Sequence, residues 1–134
     1  MRAMAGNRRQ TLGRLGEELA ATHLERHGWQ IVERNFRTRE GEIDLIATRG
    51  GTLAFCEVKT LVARRAPPAM GPLQPLESVG PAKRVQVRRM ARAWLADHHG
   101  DQGRRHGWVR LDAIGVLLAP DGTLLRLDHL ESAF

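Results

Sequence analysis

The chain has 134 residues, 42% apolar and 27% charged, which is enough for a buried core and too apolar for wholesale disorder. Its 21 lysines and arginines against 15 acids give a formal net charge of +6, a balance that suits an anionic partner such as a phosphate backbone. No apolar run is long enough to cross a bilayer, and the charged start lacks the apolar stretch of a secretion signal. The single cysteine, Cys56, excludes an internal disulfide and a cysteine-based zinc site. A cytoplasmic protein with no membrane partner is expected, read as one domain over 1–134.

In chain order, Leu12, Leu15, Leu19 and His23 recur at helical spacing, with Asn7 or Thr11 placed to cap the start and Gly28 to end it. Residues 29–36 have strand composition, and 37–41 form a polar connection. Ile43, Leu45 and Ala47 then alternate with Glu42, Asp44 and Ile46. After Gly50-Gly51 the alternation resumes from Thr52 to Thr60, which predicts a hairpin over 42–60. Residues 64–81 read as a flexible loop, because five of the six prolines fall there. Val87, Met90, Ala91, Trp94 and His98 form a second helical stripe that Gly100 would end. A last hairpin pairs 108–118 with 124–130 around Pro120-Asp121-Gly122. The order α-β-β-β-α-β-β predicts an α/β fold, a mixed central sheet with a helix on each side.

The chemistry gathers in the first hairpin. Glu57 and Lys59 point to one face of their strand, and Asp44 lies on the neighbouring strand within cross-strand reach. Two carboxylates and an ammonium on one patch suit a phosphodiesterase that uses Mg²⁺ or Mn²⁺. The metal takes hard oxygen ligands, while the lysine orients or deprotonates the attacking water. For Glu-x-Lys alone an exposed ion pair is the commoner outcome. Glu17 sits at the edge of the first helix's apolar stripe, from which it can reach over the sheet towards Asp44, while Glu18 turns to solvent.

Base usage adds a hint. Only Lys59 and Lys83 among the 21 basic residues are lysines, so a lysine here is a choice against the prevailing arginine. Lys83, Arg84, Arg88, Arg89 and Arg92 place five positive charges within ten residues, a candidate nucleic-acid-binding stripe whose bland counterpart is a solvated helix face. His98 and His99 read as helix-end residues, and the histidines show no clear metal spacing.

Together, Gly13-x-x-Gly16-Glu17-x-x-Ala20, Gly28-Trp29-x-Ile31-x-x-x-Asn35, Gly41-Glu42-Ile43-Asp44-Leu45-Ile46 and Phe55-Cys56-Glu57-Val58-Lys59-Thr60 resemble the YraN family of bacterial proteins. The likeness runs from about Gly13 to Asp112, and the pattern is similar to the PD-(D/E)xK nuclease superfamily, archaeal Holliday junction resolvases included. It implies a restriction-endonuclease-like core, Asp44, Glu57 and Glu17 as metal ligands, and Lys59 as the catalytic lysine. Leu61 stands where the family usually carries an arginine, leaving that part to Arg64 or Arg65. The expected activity is Mg²⁺- or Mn²⁺-dependent cleavage of DNA, with selectivity for branched structures and RNA left open as a substrate. A homodimer is admitted among the partners. The competing reading is a non-catalytic nucleic-acid-binding or scaffold protein on the same fold.

Overall fold

The computed structural model describes residues 2–63, 81–98 and 107–133. Helix α1 (Arg2–Arg26) is followed by strands β1 (Gln30–Thr38), β2 (Gly41–Arg49) and β3 (Thr52–Val62). Helix α2 (Pro81–Asp97) and strands β4 (Trp108–Leu118) and β5 (Leu124–Leu130) complete the set. The order is α-β-β-β-α-β-β, as the periodicity predicts. All five strands join one mixed sheet in the order β1-β2-β3-β4-β5. Three neighbour pairs are antiparallel, and β3 and β4 are parallel. Parallel neighbours need a long crossover, and α2 lies within it.

Strand alternation assigns the two faces. Ala54 and Cys56 of β3 face the α1 side, packing with Leu24, Leu45, Ile114 and Leu118. Leu53 and Phe55 of the same strand join Ile46, Met90 and Trp94 on the α2 side. Each helix thus covers one face, and Trp94, the largest fully buried side chain, anchors α2. Its indole Nε1–H donates to Glu33 Oε1 at 3.0 Å, so the buried ring keeps no unpaired donor.

Helix α1 stops at Gly28, which holds φ +86°. Trp29 N–H donates to Leu24 O at 3.0 Å and Gly28 N–H to Glu25 O at 3.1 Å, a pair of closing bonds that a left-handed glycine permits. Near its middle α1 comes unusually close to β3. A Cβ at Gly16 would stand 1.9 Å from Thr60 Oγ1, so only glycine admits this approach.

Four boundaries differ from the sequence expectation. Helix α1 begins at Arg2, upstream of both Asn7 and Thr11; a side chain able to cap does not end a helix when good helix formers precede it. Strand β1 continues to Thr38, because Arg37 and Thr38 pair with Glu42 and Gly41, and the connection shrinks to Arg39-Glu40. Strand β3 runs on to Val62, supported along its length by β4 as far as the Val62–Leu118 pair. Helix α2 opens at Pro81, a residue suited to a first helical turn. The expected loop over 64–81 otherwise lies outside the described residues, as do His99, Gly100, Arg64 and Arg65. Among the described residues no helix is long and apolar enough to cross a membrane.

Candidate active site

The β2–β3 ladder runs from Arg49–Thr52 to Leu45–Cys56 and stops there. Beyond that pair the strands part, and a side chain takes over from the backbone. Val58 N–H donates to Asp44 Oδ2 at 2.7 Å, a bond that fixes the carboxylate at the mouth of the opening.

Two further carboxylates converge on Asp44. One oxygen each from Glu17, Glu42 and Asp44 lie within 4.8 Å of one another, with all three residues half-buried. Glu17 is carried there by the Gly16–Thr60 approach, which brings this turn of α1 down to the sheet. Glu42 and Asp44 are two apart on β2, and their carboxylates turn to the same spot. Glu42 was not singled out as a ligand from the sequence, although the same alternation that located Asp44 contains the signal for it. Glu18, by contrast, points away and pairs with Arg34.

The electrostatics follow from crowding like charges in a partly dry place. Burial pushes the Asp44 carboxyl up, the Val58 bond pulls it down, and Glu17, Glu42 and Glu57 push it up again, leaving it at about 6. Glu17 is raised by burial and then by Glu42, against the pull of Arg34 and Arg37. Arg37 Nε also lies 3.5 Å from Glu42 Oε2, at the rim. Three close oxygens with too little positive charge between them form a hard donor set of the kind that suits Mg²⁺ or Mn²⁺.

Glu57 stands apart from that cluster. Its Oε1 lies 3.6 Å from Lys59 Nζ and 2.9 Å from Lys83 Nζ, and its side chain is only 15% exposed. The two lysines of the chain thus meet on one carboxylate oxygen. Lys83 reaches it from α2, where it occupies the inward stripe that continues through Val87, Met90, Ala91 and Trp94. Within the expected basic stripe, then, Lys83 turns to the sheet, and Arg89 pairs with Glu40 at 3.5 Å. Arg84, Arg88 and Arg92 remain exposed, one turn apart along α2.

A second polar group lies on the α1 side of β4. Asp112, fully buried, accepts from Arg110 Nη2 and His129 Nε2, both at 2.8 Å, and from Ser132 N–H at 3.0 Å. Burial pushes its carboxyl up, but these bonds outweigh it and hold it below the usual carboxylate range. No motif marks Asp112 in the sequence; its three donors explain how a charge survives in the core.

The model of the uncharacterised protein family UPF0102 matches residues 16–116. A UPF0102 protein of Streptomyces griseus is 48% identical over 116 residues, covering 87% of this chain and 90% of the relative. One from Acidothermus cellulolyticus is 45% identical over 122 residues, with 85% and 88% covered. One from Frankia alni is 41% identical over 132 residues, covering 98% of this chain and all of its own length.

Proposed function

We propose that this chain, which belongs to the uncharacterised protein family UPF0102 (the YraN family), is a divalent-metal-dependent endonuclease hydrolysing phosphodiester bonds in DNA, with selectivity for branched structures. One observation carries the reading: Asp44, fixed where two strands part, shares its position with Glu17 and Glu42 beside a Glu57–Lys59 pair. A restriction-endonuclease-like core accommodates that arrangement. A protein that only bound nucleic acid would gain nothing from setting clustered carboxylates against phosphate.

Glu17, Glu42 and Asp44 would hold Mg²⁺ or Mn²⁺. Bound there, the ion would supply charge stabilisation at the phosphoryl oxygens and a more acidic water. The chain's own groups do the rest. Lys59 Nζ, half-exposed, donates to a phosphoryl oxygen or to the attacking water and offsets negative charge gathering on phosphorus. Glu57 Oε1 holds that ammonium in place. Water adds to phosphorus as one ester P–O bond breaks, and the leaving oxygen takes up a proton. Arg84, Arg88 and Arg92 bind the flanking phosphates and carry no base preference.

The test is a panel of labelled duplex, flap, four-way junction, single-stranded DNA and RNA substrates, incubated with Mg²⁺ or Mn²⁺. Cleavage of branched DNA by the wild-type chain, abolished by Asp44→Asn and by Lys59→Ala, is expected. Metal-independent cutting, or equal cutting by wild type and Asp44→Asn, overturns the reading. Tight binding without cleavage of any substrate would leave the scaffold reading in its place.

A further inference from the structure

Glu57 carries two cations where one would neutralise it. Lys59 is two residues away on the same strand and cannot travel far. Lys83 comes from α2, within the β3–β4 crossover, yet makes the shorter contact, 2.9 Å against 3.6 Å. While both ammonium groups are in place, Glu57 Oε1 has little electron density to offer any third cation. Glu57 directly precedes Val58, whose N–H holds Asp44 Oδ2 at 2.7 Å, so it stands next to the carboxylate cluster and its charge is felt there.

We propose that Lys83 is a positioning residue that withholds Glu57 from the Glu17–Glu42–Asp44 cluster until a nucleic-acid phosphate draws Lys83 away. The proposal rests on the endonuclease reading given above. Two features support the exchange. The Lys83 side chain is 36% exposed, and it sits beside Arg84 at the head of the exposed arginine line, where a bound backbone would present phosphates. The residue type fits as well. An ammonium on a flexible stem moves readily between single oxygens, whereas a guanidinium holds a carboxylate through two bonds. In a chain with 19 arginines, the base on this carboxylate is one of the only two lysines.

The consequence is thermodynamic coupling. Phosphate binding frees negative charge beside Asp44, which strengthens metal binding, and metal binding strengthens phosphate binding by the same factor. The acidic cluster is thereby kept weak for metal until substrate is present.

The test uses the full chain and two readouts other than activity. Mn²⁺ affinity, measured by electron paramagnetic resonance without nucleic acid, should rise at least about fivefold in Lys83→Met, a coupling of ordinary allosteric size. Arg84→Met removes the same charge one residue away and should change the affinity less than about twofold. Lys83→Arg, which keeps an ion pair to Glu57, should stay near wild type. In the second readout, ¹³Cε-labelled lysine gives signals from two residues only, assigned with Lys83→Arg. Short duplex added in excess chelator, where no cleavage occurs, should move the Lys83 signal saturably. Equal Mn²⁺ affinities for Lys83→Met and Arg84→Met, with wild type still binding Mn²⁺, overturn this proposal alone. So does a Lys83 signal unmoved in the saturated complex. No Mn²⁺ binding by either wild type or Lys83→Met overturns the endonuclease reading and this proposal together.

Discussion

Val58 N–H donates to Asp44 Oδ2 at 2.7 Å, in the place where a β2 carbonyl would stand if the ladder continued. One side chain therefore satisfies a backbone donor and faces two other carboxylates. The bond favours the charged form, and burial with three neighbouring acids opposes it more strongly. Asp44 in the metal-free protein is thus held where its charge is costly.

That cost sets a pH dependence. The folded carboxyl is raised from 3.8 to about 6, so its contribution to stability is fully present below the lower value and is lost as pH rises through the upper one. Asp44→Asn keeps an oxygen to accept from Val58 and has no such titration. In chelator, denaturant unfolding of wild type should weaken relative to Asp44→Asn by about 2 kcal/mol between pH 4 and pH 7. Adding Mg²⁺ should restore the wild type selectively, since an ion that binds only the folded state stabilises it by mass action. Parallel pH profiles for the two proteins would contradict the crowding described here.

Glu42 should matter as much as Glu17. Each offers one oxygen to the cluster within 4.8 Å of the other two. Glu42→Gln and Glu17→Gln should each weaken Mn²⁺ affinity by at least about tenfold, the loss typical of altering a metal's immediate surroundings. Calorimetric titration reads the effect directly. A Glu42→Gln variant with wild-type affinity would remove that residue from the site.

The residues behind these predictions were legible in the sequence to different depths. Glu17, Asp44, Glu57 and Lys59 stand out because short motifs and strand alternation need only local information. Glu42 was within reach of the same alternation. The inward turn of Lys83 follows from extending the Val87–Met90–Ala91–Trp94 stripe back by one turn. That Glu57 awaits it could not be read, because β3 and α2 meet only through tertiary packing. The parallel β3–β4 pairing was equally hidden, since periodicity assigns faces and not neighbours.

Gly16→Ala should be far more harmful than an exposed helix substitution. The new methyl would meet Thr60 Oγ1 at 1.9 Å and Thr60 Cβ at 3.0 Å, so α1 must shift outward. A loss of roughly 1–3 kcal/mol in denaturant unfolding is expected, with Mn²⁺ affinity falling alongside as Glu17 is displaced. Thr60→Ala in the same chain should recover part of both losses. Additive effects in this double-mutant cycle would show that the two residues do not compete for space.

The arginine line on α2 makes a prediction about salt. If about six phosphates are neutralised, duplex affinity should fall by roughly 10³ between 50 and 200 mM salt. Replacing Arg88 and Arg92 together with alanine should weaken binding to all sequences alike and flatten the salt slope by about two. An unchanged slope would move the backbone elsewhere, to Arg34, Arg37 and Arg39.

The parallel β3–β4 pairing also bears on how the chain is made. Every carboxylate of the cluster, and Glu57 and Lys59 with it, lies in the first sixty residues, inside a helix and a three-stranded antiparallel meander. Until β4 arrives, β3 is an open edge from Thr52 to Val62 with Leu53, Ala54, Phe55 and Cys56 in its first half, an invitation to pair with another chain. Closing it means bringing together residues on either side of the whole α2 crossover, the slowest kind of contact for a small protein to make. A nascent chain stalled before Trp108 should therefore be the species that needs a chaperone, with its acidic residues already made and its most adhesive strand uncovered.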